Sequence, residues 1–298
     1  MGISILLVIM CHTPSLGIKV FSFLPAGLIG TDVFIFLSGY SLGFAINKYP
    51  LSIFYARRIA RIYPMFLILA IFVSLQYIYD GGSLSFWEWL SNLTFVSFYS
   101  GGGISVDWYL SISVILYFLF PILNKKMTLW LLVFISIACF VFQYSISTGI
   151  IPLDPVRAAG YARIPMFCWG IFLFNNIYKS KEIILMYLLW GTLVVVSILC
   201  GLHFFWITDV IAPFFILLLV WTASRIVNFP KLNSLLEFLG KYTIEIYVAN
   251  FIATRMCKYL TGNAIVLLVY ILLTIVLAVL FVQYNKIATS CLFKIVKL

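Results

Sequence analysis

The densest cluster of positive charge in the sequence contains three arginines, Arg57, Arg58 and Arg61. Positions 57 and 61 are four residues apart and positions 58 and 61 are three apart, so a helix would project all three guanidinium groups towards one side. Guanidinium groups bind phosphate oxygens through paired hydrogen bonds, which makes the cluster a candidate phosphate site. A basic turn that faces water or lipid headgroups would have the same sequence, and both interpretations stay open here.

Two other ionisable residues, His12 and Asp32, lie in strongly apolar stretches of the sequence. An ionisable group at membrane depth needs a partner that offsets its desolvation, which makes it a functional candidate. If the two residues lie on consecutive antiparallel helices, they fall at similar depth, and the Asp32 carboxylate would orient the His12 imidazole as a general base. A hydrogen-bonded interfacial histidine and a helix N-terminal anion explain the two residues nearly as well.

The six cysteines are scattered through apolar segments, without a C-x-x-C pair or a Cys/His spacing typical of metal ligands. We therefore predict no metal site and no disulfide framework. The cysteines are interpreted as small hydrophobic side chains.

These residues belong to a chain of 298 residues, of which 64% are hydrophobic and only 9% are charged. Soluble globular domains carry roughly 25% charged residues, so the composition excludes a water-soluble protein. With about 20 residues needed for each membrane span, we predict an all-α, polytopic integral membrane bundle of about ten transmembrane helices. Residues 1–298 would form a single transmembrane domain, with no room for a separate soluble domain.

Apolar stretches between polar or Pro/Gly breaks give the candidate spans. These are residues 1–13, 27–47, 62–79, 108–123, 127–147, 161–177, 183–200, 204–223, 243–259 and 264–284. The first is short, because its apolar part reaches roughly 20 Å where the hydrocarbon core is about 30 Å thick.

The net charge of +10 is sorted along the chain according to these spans. If the N-terminus is cytoplasmic, most of the 19 basic residues fall on cytoplasmic connectors and the C-terminal tail. The basic residues on the other side are Lys19, Arg157, Arg163, Arg255 and Lys258. By the positive-inside rule, both termini are predicted to be cytoplasmic, and the charge indicates topology and no nucleic acid partner.

The longest connector on the other side, residues 80–107, has no Lys or Arg and carries Trp87 and Trp89 as predicted interfacial anchors. Trp108 and Tyr109 follow it at the start of the next span. Their rings would offer a stacking surface for a sugar, although residues at a span entry also serve as interfacial anchors.

Taken together, the motifs resemble the membrane-bound acyltransferase-3 family of bacterial surface-glycan O-acyltransferases. His12, the stretch Gly30–Gly39 and the run Arg57–Pro64 carry the resemblance, with weaker matches at Asp107–Leu110 and Leu239–Tyr247. The order and spacing of these motifs extend from residue 1 to about residue 284. The family also implies a bundle of ten helices with both termini inside.

The resemblance implies transfer of an acyl group, usually acetyl, from cytoplasmic acetyl-CoA to a sugar hydroxyl. The acceptor would be a cell-surface polysaccharide of the O-antigen, capsule or exopolysaccharide type, or a lipid-linked sugar, and the enzyme would lie in the bacterial inner membrane. The resemblance implies these roles: CoA phosphate binding by Arg57, Arg58 and Arg61, general base catalysis by His12 with Asp32 as its orienting partner, and sugar stacking on Trp108 and Tyr109.

Two positions depart from the family pattern. The family has an Arg eleven residues before the first histidine, where this chain has Met1, and often a His where it has Asn250. With the short first span, the first departure leads us to expect that the chain begins at an internal methionine or lacks a functional residue. The alternative function is a polytopic transporter of a glycan-linked or acyl substrate, although the sequence shows no internal repeat typical of one.

Overall fold

The computed structural model describes residues 1–12, 26–100, 108–200, 204–257, 260 and 264–295, and all regular elements in these ranges are helices. In chain order they are α1 (Gly2–His12), α2 (Ala26–Lys48), α3 (Leu51–Tyr79), α4 (Phe86–Leu93), α5 (Val96–Ser100), α6 (Trp108–Lys126), α7 (Leu129–Ser147), α8 (Pro155–Ala162), α9 (Ile164–Asn176), α10 (Ser180–Leu199), α11 (Phe204–Ile226), α12 (Pro230–Lys241), α13 (Thr243–Cys257) and α14 (Ala264–Ile295). The predicted all-α class is confirmed.

Several of these helices are long and apolar enough to cross a membrane. Among the described residues there are six such helices, at Ile29–Lys48, Leu51–Tyr79, Trp108–Lys126, Leu129–Ser147, Ser180–Leu199 and Ile265–Lys294. Two shorter apolar helices, Gly2–His12 and Ile211–Ile226, accompany them. The protein is therefore a helical, multi-pass membrane protein, while the number of ten spans and the cytoplasmic side of both termini stay predictions. Lys19 and Lys258, which entered that prediction, lie outside the described residues.

The arginine run lies within a helix and not in a connector before it. The sequence predicts a span from residue 62, whereas α3 begins at Leu51, directly after Pro50. Long basic side chains keep their charge near water while their aliphatic part covers apolar surface, so three arginines do not end a helix here. The run therefore occupies the second and third turns of α3, which fixes the spacing of its side chains.

Helix α2 packs closely against its neighbours because of glycines. A Cβ atom at Gly39 would lie 2.2 Å from the carbonyl oxygen of Phe167, and one at Gly170 would lie 2.1 Å from that of Phe36. On the other side, a Cβ atom at Gly30 would lie 2.7 Å from the carbonyl oxygen of Ser4. Small residues allow helix backbones to approach in membranes. The glycines thus hold α1 and α9 against α2 and fix the position of Asp32 between them.

The short helix α4 follows the end of α3 and begins with a capping box. Ser85 accepts a hydrogen bond from the backbone N–H of Glu88, and the Glu88 carboxylate accepts one from the backbone N–H of Ser85. The Trp87 side chain is 73% exposed, as suits a ring that contacts the membrane interface. That Trp87 and Trp89 anchor the protein at the interface stays a prediction.

Candidate active site

One cavity, of about 60 Å³, is lined by residues from four of the sequence motifs. These motifs lie on α2, α3, α6 and α13, far apart in the sequence. Among the lining residues are Phe34, Ser38, Arg58, Arg61, Tyr109 and Thr243. The Ser38 hydroxyl and the Tyr117 hydroxyl, both at this cavity, form a hydrogen bond of 3.4 Å. The fold therefore brings separate motifs to a single polar site, which is where we place the candidate active site.

The three arginines do not all face this cavity. Arg58 and Arg61 line it, whereas Arg57 donates a hydrogen bond of 3.3 Å to the Tyr49 hydroxyl and stacks 4.3 Å from the centre of that ring. The Phe293 ring lies on the same guanidinium, 5.7 Å away. Positions 57 and 58 point about 100° apart on a helix, which explains the division. The predicted phosphate site thus has two of its arginines together and the third alongside.

The buried Nε of Arg58 fits an anionic ligand. Within the part of the chain that the structure describes, this donor makes no hydrogen bond. A buried donor without a partner is costly, and a phosphate oxygen is the acceptor that a guanidinium binds best. The residues present therefore suit the phosphates of CoA, although CoA binding stays a prediction.

His12 ends α1 and is held by a network of hydrogen bonds. Its Nδ1 lies 2.8 Å from the carbonyl oxygen of Val8 and 3.1 Å from the side-chain amide of Asn250 on α13. The same amide contacts the hydroxyl of Tyr270 on α14, and this hydroxyl lies 3.2 Å from the carbonyl oxygen of Ile9. The sequence does not predict that Asn250 and Tyr270 are neighbours of His12.

Asp32 forms a buried ion pair with Arg163. Nε of Arg163 lies 3.2 Å from Oδ1 of Asp32, and both side chains are fully buried. The Arg163 guanidinium also lies over the Trp108 ring, 4.7 Å from its centre. The ion pair and the aromatic face offset the desolvation of the guanidinium.

The sequence places Arg163 near the start of the predicted span 161–177, among the basic residues on the non-cytoplasmic side, and in the structure its side chain is buried inside the bundle at the start of α9. Pro165 near the start of α9 is typical of a helix start, but nothing at this position predicts that Arg163 pairs with Asp32. The prediction that Asp32 orients His12 is not tested by this ion pair and stays a prediction.

The two aromatic residues predicted to bind a sugar have different surroundings. Tyr109 is 8% exposed, lines the cavity with Arg58 and Arg61, and lies 5.2 Å from the Tyr247 ring. Trp108 lies instead against Arg163, so at least one of its faces is covered. Asp107, which belongs to the same motif, lies outside the described residues. Sugar binding by either ring stays a prediction.

The fold and the site define a helical, multi-pass membrane protein in which residues from separate helices line one polar cavity. The acyltransferase domain family known as Acyl_transf_3 matches residues 2–283. The chain therefore belongs to the acyltransferase-3 family, as its motifs indicated, and it is a membrane acyltransferase. Comparison with curated proteins and with solved structures found no match.

Proposed function

We propose that the protein is an O-acetyltransferase that moves an acetyl group from cytoplasmic acetyl-CoA to a sugar hydroxyl of a cell-surface polysaccharide, in the bacterial inner membrane. The observation that carries this proposal is the convergence of the family motifs on one cavity that contains Arg58 and Arg61. The acceptor is a polysaccharide of the O-antigen, capsule or exopolysaccharide type, or its lipid-linked precursor.

Donor binding follows from the positions of the arginines. Arg58 and Arg61 would hold the CoA phosphates in the cavity, and Arg57, stacked on Tyr49, would contribute positive potential beside them. Met1 lines the same cavity, and α1 leads from it to His12 over about 17 Å. The extended pantetheine arm of CoA suits a path of this kind. When bound, acetyl-CoA supplies a thioester carbonyl as the acyl donor.

His12 would then act as the general base. Its imidazole takes the proton of the sugar hydroxyl as the hydroxyl oxygen attacks the carbonyl carbon of the thioester. The carbon–sulfur bond breaks, the new ester bond forms, and the proton passes to the departing CoA thiolate. Trp108 and Tyr109 would position the sugar, and Asp32, through its ion pair with Arg163, would hold α2 next to α9.

The test uses a strain in which the gene is deleted and replaced by variants. His12→Ala and Arg58→Ala are expected to remove the acetyl signals from the NMR spectrum of the surface glycan, whereas Arg225→Ala, an exposed arginine on α11, should leave them unchanged. In purified membranes Arg58→Ala should raise the KM for acetyl-CoA by roughly 10- to 100-fold, the size of a lost hydrogen bond to a charged group. Normal acetylation in both variants would refute the proposal.

Consumption of the thioester separates the enzyme from the transporter alternative. Membranes that contain the purified protein should release free CoA from acetyl-CoA when the glycan acceptor is present. Movement of a substrate across the membrane without release of CoA would instead support a transporter.

A further inference from the structure

The side-chain amide of Asn250 joins three helices at His12. Asn250 is fully buried on α13, Tyr270 is almost fully buried on α14, and His12 is the last residue of α1. Buried amide and hydroxyl groups must satisfy their hydrogen bonds within the protein. The number of protons that His12, Asn250 and Tyr270 share therefore limits the hydrogen-bond arrangements that these three side chains can adopt.

The contact with the carbonyl oxygen of Val8 indicates which nitrogen of His12 carries the proton. A carbonyl oxygen only accepts hydrogen bonds, and it lies 2.8 Å from Nδ1 of His12. The contact is therefore a hydrogen bond only if Nδ1 carries the proton. In neutral imidazole the other nitrogen, Nε2, then holds the lone pair.

The Asn250 amide must then present its oxygen to His12. In the structure its nitrogen faces Nδ1 at 3.1 Å while its oxygen faces the Tyr270 hydroxyl. In that orientation two donors face each other at His12. The single Tyr270 proton would also have to serve two acceptors, since the carbonyl oxygen of Ile9 lies 3.2 Å from the same hydroxyl.

A half-turn of the amide about its Cβ–Cγ bond removes the contact between two donors and leaves the Tyr270 proton with one acceptor, because the oxygen and the nitrogen of an amide occupy equivalent positions. The shared proton is then the one on Nδ1 of His12. Nδ1–H of His12 then donates to Asn250 Oδ1 as well as to Val8, Asn250 Nδ2 donates to the Tyr270 hydroxyl, and that hydroxyl donates to Ile9. Each proton in this chain has an acceptor.

We infer that Asn250, supported by Tyr270, is a positioning residue that holds His12 in the tautomer with its proton on Nδ1 and its lone pair on Nε2. The effect on catalysis rests on the proposed role of His12 as general base, whereas the tautomer itself does not. A fixed tautomer leaves Nε2 ready to accept the hydroxyl proton, as in catalytic triads where a second group orients the histidine. Here that second group is a neutral amide.

The tautomer is measured directly by ¹⁵N NMR of histidine-labelled protein in detergent micelles. The chain has two histidines, so His203→Gln leaves His12 as the single source of signal. At a pH where the ring is neutral, we expect a protonated Nδ1 and an unprotonated Nε2. The opposite tautomer would overturn the inference, even in a protein that transfers acetyl groups normally. This measurement needs no change within the network.

Kinetics test the role of Asn250. Asn250→Leu keeps a similar volume but removes one of the two acceptors of Nδ1–H, so the second tautomer should be more populated than in the wild-type protein. The kcat should fall roughly tenfold, the size of one neutral hydrogen bond, with the KM for acetyl-CoA unchanged. In the His12→Ala background the same change should have no further effect, since the two residues act as a unit. Asn176→Leu, which removes another buried asparagine on α9, serves as the control.

The outcomes separate the two proposals. A wild-type protein with the expected tautomer but no acetyl transfer would refute the proposed function and leave the tautomer assignment standing. Acetyl transfer that is unaffected by Asn250→Leu, with an unchanged spectrum, would refute the role of Asn250 and leave the proposed function standing.

Discussion

The ion pair of Asp32 with Arg163 and the neutral network of His12, Asn250 and Tyr270 both place polar atoms inside the bundle. The first joins two full charges, and the Trp108 ring lies against the guanidinium of the pair. The second uses hydrogen bonds between neutral groups and ends on backbone carbonyl oxygens. A buried ion pair is costly to disturb because removing one member leaves the other charge unpaired, whereas a neutral imidazole has a lone pair with which it can accept a proton. The ion pair therefore joins α2 to the start of α9, while the neutral network suits the proton transfer that we propose for His12.

Removing one member of the ion pair should lower the stability of the protein most. Arg163→Met leaves the Asp32 carboxylate buried without its counter-charge, and the free energy of unfolding should fall by about 3–5 kcal/mol. Unfolding by SDS titration of protein in mild detergent micelles measures this change. Arg225→Met, at an exposed arginine on α11, is the control and should change stability little.

The double variant Asp32→Leu/Arg163→Met separates the effect of the unpaired charge from the effect of the lost Trp108 contact. Replacing both members of a buried ion pair with apolar residues is often neutral or stabilising, so the double variant should recover most of the lost stability. A loss in the double variant equal to that in Arg163→Met would show that the Trp108 contact of Arg163, and not its charge pairing, stabilises the bundle.

A smaller effect is expected in the neutral network. Tyr270→Phe removes one hydroxyl that donates to Ile9 and contacts Asn250, and the free energy of unfolding should fall by about 1 kcal/mol, as for one neutral hydrogen bond. Tyr284→Phe is the matched control on α14, because Tyr284 is 40% exposed. A loss for Tyr270→Phe as large as that for Arg163→Met would remove the distinction between the two clusters.

The sequence predicts the parts of these clusters that depend on composition and local spacing. The hydrophobic composition predicts the helical membrane class, and the spacing of Arg58 and Arg61 predicts that they lie on one side of a helix. The cavity that they line also takes residues from α2, α6 and α13, and the spacing of the arginines does not predict this convergence. Family resemblance adds His12, whose chemical type alone makes it a candidate.

The partners of the buried polar residues could not be predicted in this way. Asn250 lies 238 residues from His12 and 20 residues from Tyr270, and helical periodicity does not tell which helices meet. Arg163 lies near the start of its predicted span, and no local pattern indicates that its side chain reaches Asp32 inside the bundle. No local pattern in the sequence predicts that α2 and α9 approach closely at Gly39 and Gly170. This close approach places Arg163 next to Asp32.

The smallest expected effect concerns Glu88, an exposed carboxylate that extends the comparison beyond the bundle interior. Hydrogen bonds from the backbone N–H and the hydroxyl of Ser85 hold the pKa of Glu88 below its ordinary value. A carboxylate with a lowered pKa stabilises the folded helix above its ordinary pKa, and this contribution is lost as the pH falls through the lowered value. The protection of α4 amides against hydrogen exchange, corrected for the intrinsic rate, should therefore decrease in that acidic range.

Ser85→Ala removes one of these donors and one cap, so α4 should be less protected at neutral pH and its protection should depend less on acid. Helix α2 gives the contrast, because Gly30 and Gly39 allow it to pack closely against its neighbours inside the bundle, and its amides should keep their protection over the same pH range. If acid reduced the protection of α2 as much as that of α4, the decrease would not come from the Glu88 cap and the prediction for Glu88 would be wrong.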